Sequence, residues 1–202
     1  MATPTPADFL ATVISMWEGG YESYVDDAGN WVTFPDGHEV DVGTNRGVTP
    51  AALAAHRGVE PYQITMDDIK SVTLDEAVDI GLKHYYQEPG FAKLPWGPAT
   101  AALVDFGWGS GPFQAVLSMQ RLCDAQPVDG IIGPATIKAY TDWEAQEGWV
   151  AATDAVHNMR AAFYRFIAEA NPANQQFLQG WLNRADWASA ANAEWWSQWG
   201  VG

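Results

Sequence analysis

Cysteine is nearly absent. Cys123 stands alone among 202 residues, so no disulfide can form within the chain. It falls in an apolar helical pattern, where a small buried thiol has its ordinary place. Positive charge is also scarce: 10 Lys and Arg stand against 25 Asp and Glu, for a formal net charge of −15. The cations are scattered, which excludes a nucleic-acid partner, because affinity for a phosphate backbone depends on clustered cations. No apolar run approaches the ~20 residues that a membrane-spanning helix needs, so no stable membrane insertion is expected. The first five residues lack a basic stretch, and no secretory leader is expected. His38, His56, His84 and His157 have no paired spacing that would hold zinc. Neither G-x-S-x-G nor a phosphate-cradling glycine loop occurs. No metal and no cofactor is expected.

Carboxylates and aromatic rings are abundant, and they converge on Trp17–Thr49. Before that stretch, Thr5-Pro6-Ala7-Asp8 offers a capping hydroxyl, a proline at the first helical position and an acid in the first turn. Phe9, Leu10, Val13, Ile14 and Trp17 recur at helical spacing, and Gly19-Gly20 supplies the stop. Glu18 therefore falls on the last turn. The negative end of the helix dipole and its aromatic neighbours both act against its ionised form there. A general acid working near neutral pH needs that bias. A hairpin is expected over 21–45, with turns at Asp27-Ala28-Gly29-Asn30 and Pro35-Asp36-Gly37. It carries Asp26, Asp27, Asp36 and Asp41. A helix-end carboxyl facing a hairpin carboxyl is the pair that glycoside hydrolysis uses.

Glu18-Gly19-Gly20-Tyr21 followed by Gly43-Thr44-Asn45-Arg46-Gly47-Val48-Thr49 resembles glycoside hydrolase family 108, the N-acetylmuramidases of phages and prophages with a lysozyme-like fold. The resemblance implies that Glu18 is the catalytic acid. Eight residues separate Glu18 from Asp27 and five separate Asp27 from Thr33, which also resembles the Glu-Asp-Thr spacing of phage-type lysozymes. The segment between the two family motifs is about ten residues longer than the family pattern, through Trp31–Val40. The second carboxylate is therefore Asp27 or Asp41, and the hydroxyl Thr44 or Thr33. Asp27 is favoured because it opens the hairpin, and Thr44 because it heads the family turn. Tyr21, Asn45, Tyr85, Trp108 and Trp181 are the expected substrate-binding residues.

Further along, Thr49-Pro50 and Thr65–Asp68 cap two short helices, and Thr73–Glu76 is a capping box that opens a helix to about Glu88, with Pro89-Gly90 as its stop. Ala99, Ala102, Leu103 and Phe106 mark a central buried helix, within which Asp105 must find partners. Gly107, Gly109 and Gly111 around Trp108 point to close backbone approach. Asp129-Gly130-Ile131-Ile132-Gly133-Pro134-Ala135-Thr136 resembles the core of small peptidoglycan-binding modules, with a tight turn before a helix start. Phe177 to Arg184 resembles the closing helix of the family, F-x-x-G-W-x-N-R. Trp187, Trp195, Trp196 and Trp199 follow, as packing staples or as platforms for sugar rings.

The fold expected is mainly α and lysozyme-like, about eight helices with one small β-hairpin. Residues 1–112 are expected to form the catalytic part and residues 113–202 a helical part packed on it. The resemblance implies a monomeric endolysin that cleaves the β-1,4 bond between N-acetylmuramic acid and N-acetylglucosamine in peptidoglycan. It would be made in the host bacterial cytoplasm and reach the wall with a holin. A lytic transglycosylase and a non-catalytic glycan-binding or virion module are the alternatives. Strong acidity is awkward for an enzyme of an anionic wall, unless local contacts or salt screening dominate.

Overall fold

A computed structural model describes residues 3–25 and 27–200. Asp26 lies outside the described residues. The chain divides into two compact units, residues 7–84, and residues 85–200 together with 3–6. Among the described residues the fold is mainly α and of the lysozyme-like class, with one two-stranded antiparallel sheet.

The first unit is built on α1 (Pro6–Trp17), which buries Phe9, Leu10, Val13 and Ile14. Strands β1 (Trp31–Thr33) and β2 (Glu39–Asp41) pair in the register Trp31↔Asp41, Val32↔Val40, Thr33↔Glu39. Period-two alternation turns Val32 inward, where it is buried. Three short helices complete the unit: α2 (Pro50–Arg57), α3 (Met66–Ser71) and α4 (Leu74–Ile80). Thr49, Thr65 and Thr73 each accept a backbone N–H at their N-termini, and Gly58, at φ 69°, ends α2 in the left-handed region. Helix α4 runs on as π-helical turns over Gly81–Gln87.

The second unit is centred on α5 (Pro98–Ser110), whose residues from Pro98 to Gly107 are all buried. Helix α5 packs against α6 (Pro112–Leu122) and α7 (Pro134–Ala170), α8 (Gln175–Trp187) packs on α7, and the short α9 (Ala193–Ser197) follows. Gly148 breaks α7 with φ 76° and ψ 161°. The acid inside the central helix has its partners. Asp105 accepts from Arg160 Nη2 at 2.7 Å and from Arg184 Nε and Nη2 at 3.0 and 2.6 Å. Burial would by itself push its carboxyl up, but the two guanidiniums overcome this and hold it below the usual range.

The Asp129-Gly130 turn is held from beneath. Gln120 is fully buried; its Oε1 accepts from the Asp129 and Gly130 N–H groups, and its Nε2 donates to Asp129 Oδ1, Ile131 O and Thr136 Oγ1. The motif is thus a closed hydrogen-bonded turn. At Gly107 the close approach is made by another helix, because a Cβ there would sit 3.4 Å from Pro112 Cα. The tail tryptophans chiefly pack on one another. Trp187, Trp195 and Trp199 are buried, and Trp199 continues the cluster to Trp96 at 5.7 Å between ring centroids. Trp96 Nε1 in turn donates to Pro4 O at 2.7 Å.

Candidate active site

One pocket of about 550 Å³ lies wholly within the first unit and is lined by Glu18, Gly19, Gly20, Tyr21, Glu22, Tyr24, Asp27, Thr44, Gly47 and Thr49. Three local structures build it. Helical hydrogen bonding carries past α1, with Glu18 N donating to Ile14 O at 3.1 Å, and this delivers a half-buried Glu18 to the rim. Asp27 caps a single 3-10 turn at Ala28–Asn30, its Oδ1 accepting from Gly29 N at 2.8 Å. Thr44 is brought alongside by a short antiparallel bridge with Glu22, whose N–H and C=O each pair with Thr44 at 2.8 Å.

Gly43 makes that bridge possible. Its φ is +80°, and a Cβ there would lie 2.5 Å from Glu22 O and 2.6 Å from the Tyr21 ring. Only a residue without a side chain fits both the backbone angle and the space. Tyr21 is covered on one side by Lys70, with Nζ 4.7 Å from the ring centroid. Its hydroxyl is buried and makes no hydrogen bond among the described residues.

Of the residues singled out in the sequence, Glu18, Asp27, Thr44 and Tyr21 meet in this pocket. Asp41 and Thr33 are elsewhere on the hairpin. Asp41 Oδ1 accepts from Gly43 N at 2.9 Å, and Thr33 Oγ1 donates to Glu39 Oε1 at 3.2 Å. Asn45 is buried, and its Nδ2 is spent on the carbonyls of Ile69, Lys70 and Val72, 3.1–3.4 Å away. In the second unit, Tyr85 and Trp108 stand together with centroids 4.8 Å apart, while Trp181 packs between Tyr164 and Phe177.

Sequence reasoning missed Glu22 and Asn30. Glu22 Oε2 accepts from Tyr24 N at 2.9 Å and from Asn30 Nδ2 at 3.4 Å. Asn30 is fully buried, and its Oδ1 accepts from Thr44 Oγ1 at 2.6 Å. Glu22 lies one helical turn's spacing after Glu18, beyond the glycine pair, and Asn30 looks like an ordinary turn residue. Neither had a signal of its own. No group of His, Cys, Asp and Glu among the described residues has an arrangement suited to a metal ion.

Comparison with known proteins gives this pocket a context. Residues 11–111 match the family model described as glycosyl hydrolase 108, and residues 113–186 match the one described as a predicted peptidoglycan domain. The chain belongs to glycosyl hydrolase family 108, with a peptidoglycan-binding half after it. That membership makes it a glycosidase directed at peptidoglycan. No curated protein matches the chain. Among solved structures, that of Brucella abortus SagA shares the fold, with a TM-score of 0.71 and 24% identity over 94% of each chain.

Proposed function

We propose that this chain is an N-acetylmuramidase, a lysozyme in the broad sense, that hydrolyses the β-1,4 bond between N-acetylmuramic acid and N-acetylglucosamine. Glu18 donates a proton to the bridging oxygen. Asp27 is the second carboxylate, and Thr44 supplies the hydroxyl beside it. The observation that carries the reading is that these three line one pocket, each delivered by a different local structure. Tyr21 shapes its wall. The Tyr85–Trp108 pair of the second unit offers an aromatic surface suited to a sugar ring. The resemblance to phage and prophage muramidases supports an endolysin made in the bacterial cytoplasm and given access to the wall by a holin.

Turbidity loss on purified peptidoglycan tests the assignment. Wild-type protein clears the suspension, Glu18→Gln does not, and Asp27→Asn is reduced by at least ~100-fold, the scale of a lost general acid–base group. Asp41→Asn and Thr33→Val stay within a few-fold of wild type. Clearing by Glu18→Gln at the wild-type rate would reject the role of Glu18.

A further inference from the structure

Asn30 has no solvent exposure, yet every polar atom of its side chain is engaged. Its Nδ2 faces Tyr24 O at 3.2 Å and Glu22 Oε2 at 3.4 Å. A backbone carbonyl can only accept, so the NH₂ end of the amide must be the end that points at Tyr24 O, and the Glu22 carboxylate lies on that same side. That fixes the other end. Oδ1 faces Thr44, and at 2.6 Å the Thr44 hydroxyl must donate to it. A threonine hydroxyl has one proton. With that proton spent on Asn30, Thr44 offers the pocket only lone pairs.

We propose that Asn30 is a positioning residue of this pocket, which locks the Thr44 hydroxyl as an acceptor so that Thr44 and Asp27 together select water as the attacking group. The proposal rests on the muramidase reading of the same pocket. Water has two O–H bonds and can satisfy both acceptors, leaving its lone pair for the sugar. An alcohol has one O–H and leaves an acceptor unpaired. In the step itself the water oxygen bonds to the anomeric carbon while the bond from that carbon to the bridging oxygen breaks. Asp27 takes a proton from the water, and the departing oxygen takes the proton of Glu18. Asn30 touches neither reactant; it acts by denying Thr44 a second hydrogen-bonding orientation. The Glu22 carboxylate belongs to the same clamp, since with Tyr24 O it dictates which way the amide faces.

The test is nucleophile competition. Peptidoglycan is digested in water–methanol mixtures, and the ratio of methyl glycoside to free reducing ends is measured by mass spectrometry. This ratio does not depend on how much of a variant is folded, so a merely structural role leaves it unmoved. In Thr44→Val the methyl glycoside fraction rises by about fivefold, the value of one ordinary hydrogen bond. Asn30→Ala, which frees the Thr44 hydroxyl to rotate, gives a similar rise. The double variant rises no further, because both changes remove one device.

Asn30→Asp is the decisive companion. Its oxygen facing Thr44 still accepts, so the wild-type ratio is kept, even though its second oxygen opposes Tyr24 O and Glu22 and lowers stability. Thr44→Ser likewise keeps the wild-type ratio. A Thr44→Val-like ratio in Asn30→Asp, a wild-type ratio in Asn30→Ala, or multiplying effects in the double variant would each overturn the proposal. A wild-type chain that releases no reducing ends would overturn the hydrolase reading as well, so the two failures look different.

Discussion

Replacing Asp105 by Asn tests the packing of the second unit. The carboxylate side chain has no solvent exposure, Arg160 has none, and Arg184 is 14% exposed. Three charge-assisted hydrogen bonds meet on it. At ~1.5–3 kcal/mol each they set an upper limit. Removing one partner of a buried ion pair costs about 3–5 kcal/mol, and that is the better guide, because the dominant loss is two guanidiniums left without their anion. A loss of that size is a large share of a typical ~5–15 kcal/mol stability. For a chain of 202 residues it lowers Tm by about 6–20 °C at ~2–4 °C per kcal/mol. Urea titration followed by circular dichroism reads it directly. The pH dependence has a definite sign. A carboxyl held below its unfolded value contributes stability above about pH 4 and loses it as pH falls through the folded value, so the variant also loses that acid limb. Replacing Asp105, Arg160 and Arg184 together by apolar residues of similar volume costs less than Asp105→Asn alone, since no charge is then left unpaired. A loss under about 1 kcal/mol for Asp105→Asn, the surface-pair range, would refute the reasoning.

Glu144 gives the opposite pH response. It is buried beside a small cleft lined by Pro95, Thr141, Gly148 and Trp149, and burial pushes its carboxyl up to about 7 against a weaker opposing bond from Tyr140. The folded chain therefore binds the proton more tightly than the unfolded chain, and stability falls as pH rises from about 4.5 to 7. Glu144→Gln removes that slope; thermal melts across this range show the variant gaining on wild type by about 1–2 kcal/mol at pH 8, after discounting for solvent reaching the cleft. Gly43→Ala forces a Cβ against Glu22 O and the Tyr21 ring at φ +80°. It costs about 1–3 kcal/mol in stability from the backbone alone, and it displaces Thr44, so wall hydrolysis drops as well when both are assayed on the same preparation.

Much of this molecule was legible because its signals are local. The threonine caps of the first unit, the Gly58 stop and the proline starts at Pro50, Pro98 and Pro134 each answer to the chemistry of one or two residues. The buried character of α5 could be read from its composition, and Asp105 within it announced that partners were needed without naming them. Arg160 lies 55 residues away and Arg184 lies 79 away, and no local pattern links them to Asp105. The same limit hid the clamp of the pocket. Asn30 matters through Thr44, fourteen residues on, and through Glu22, eight residues back. The sequence left open two carboxylates and two hydroxyls because the lengthened hairpin displaces the spacing; the fold brings Asp27 and Thr44 to the lining with Glu18 and leaves Asp41 and Thr33 with hairpin partners. Asn45 belongs to the family turn, yet its amide serves carbonyls at the C-terminal end of α3, a use that only the tertiary structure displays.

The most direct measurement is digestion of peptidoglycan in water enriched in heavy oxygen, with mass analysis of the new chain ends. Hydrolysis driven by the Glu18 proton predicts labelled N-acetylmuramic acid at every new reducing end, and no such ends from a folded Glu18→Gln variant. Unlabelled anhydro ends from wild type, or labelled ends from Glu18→Gln, would contradict it.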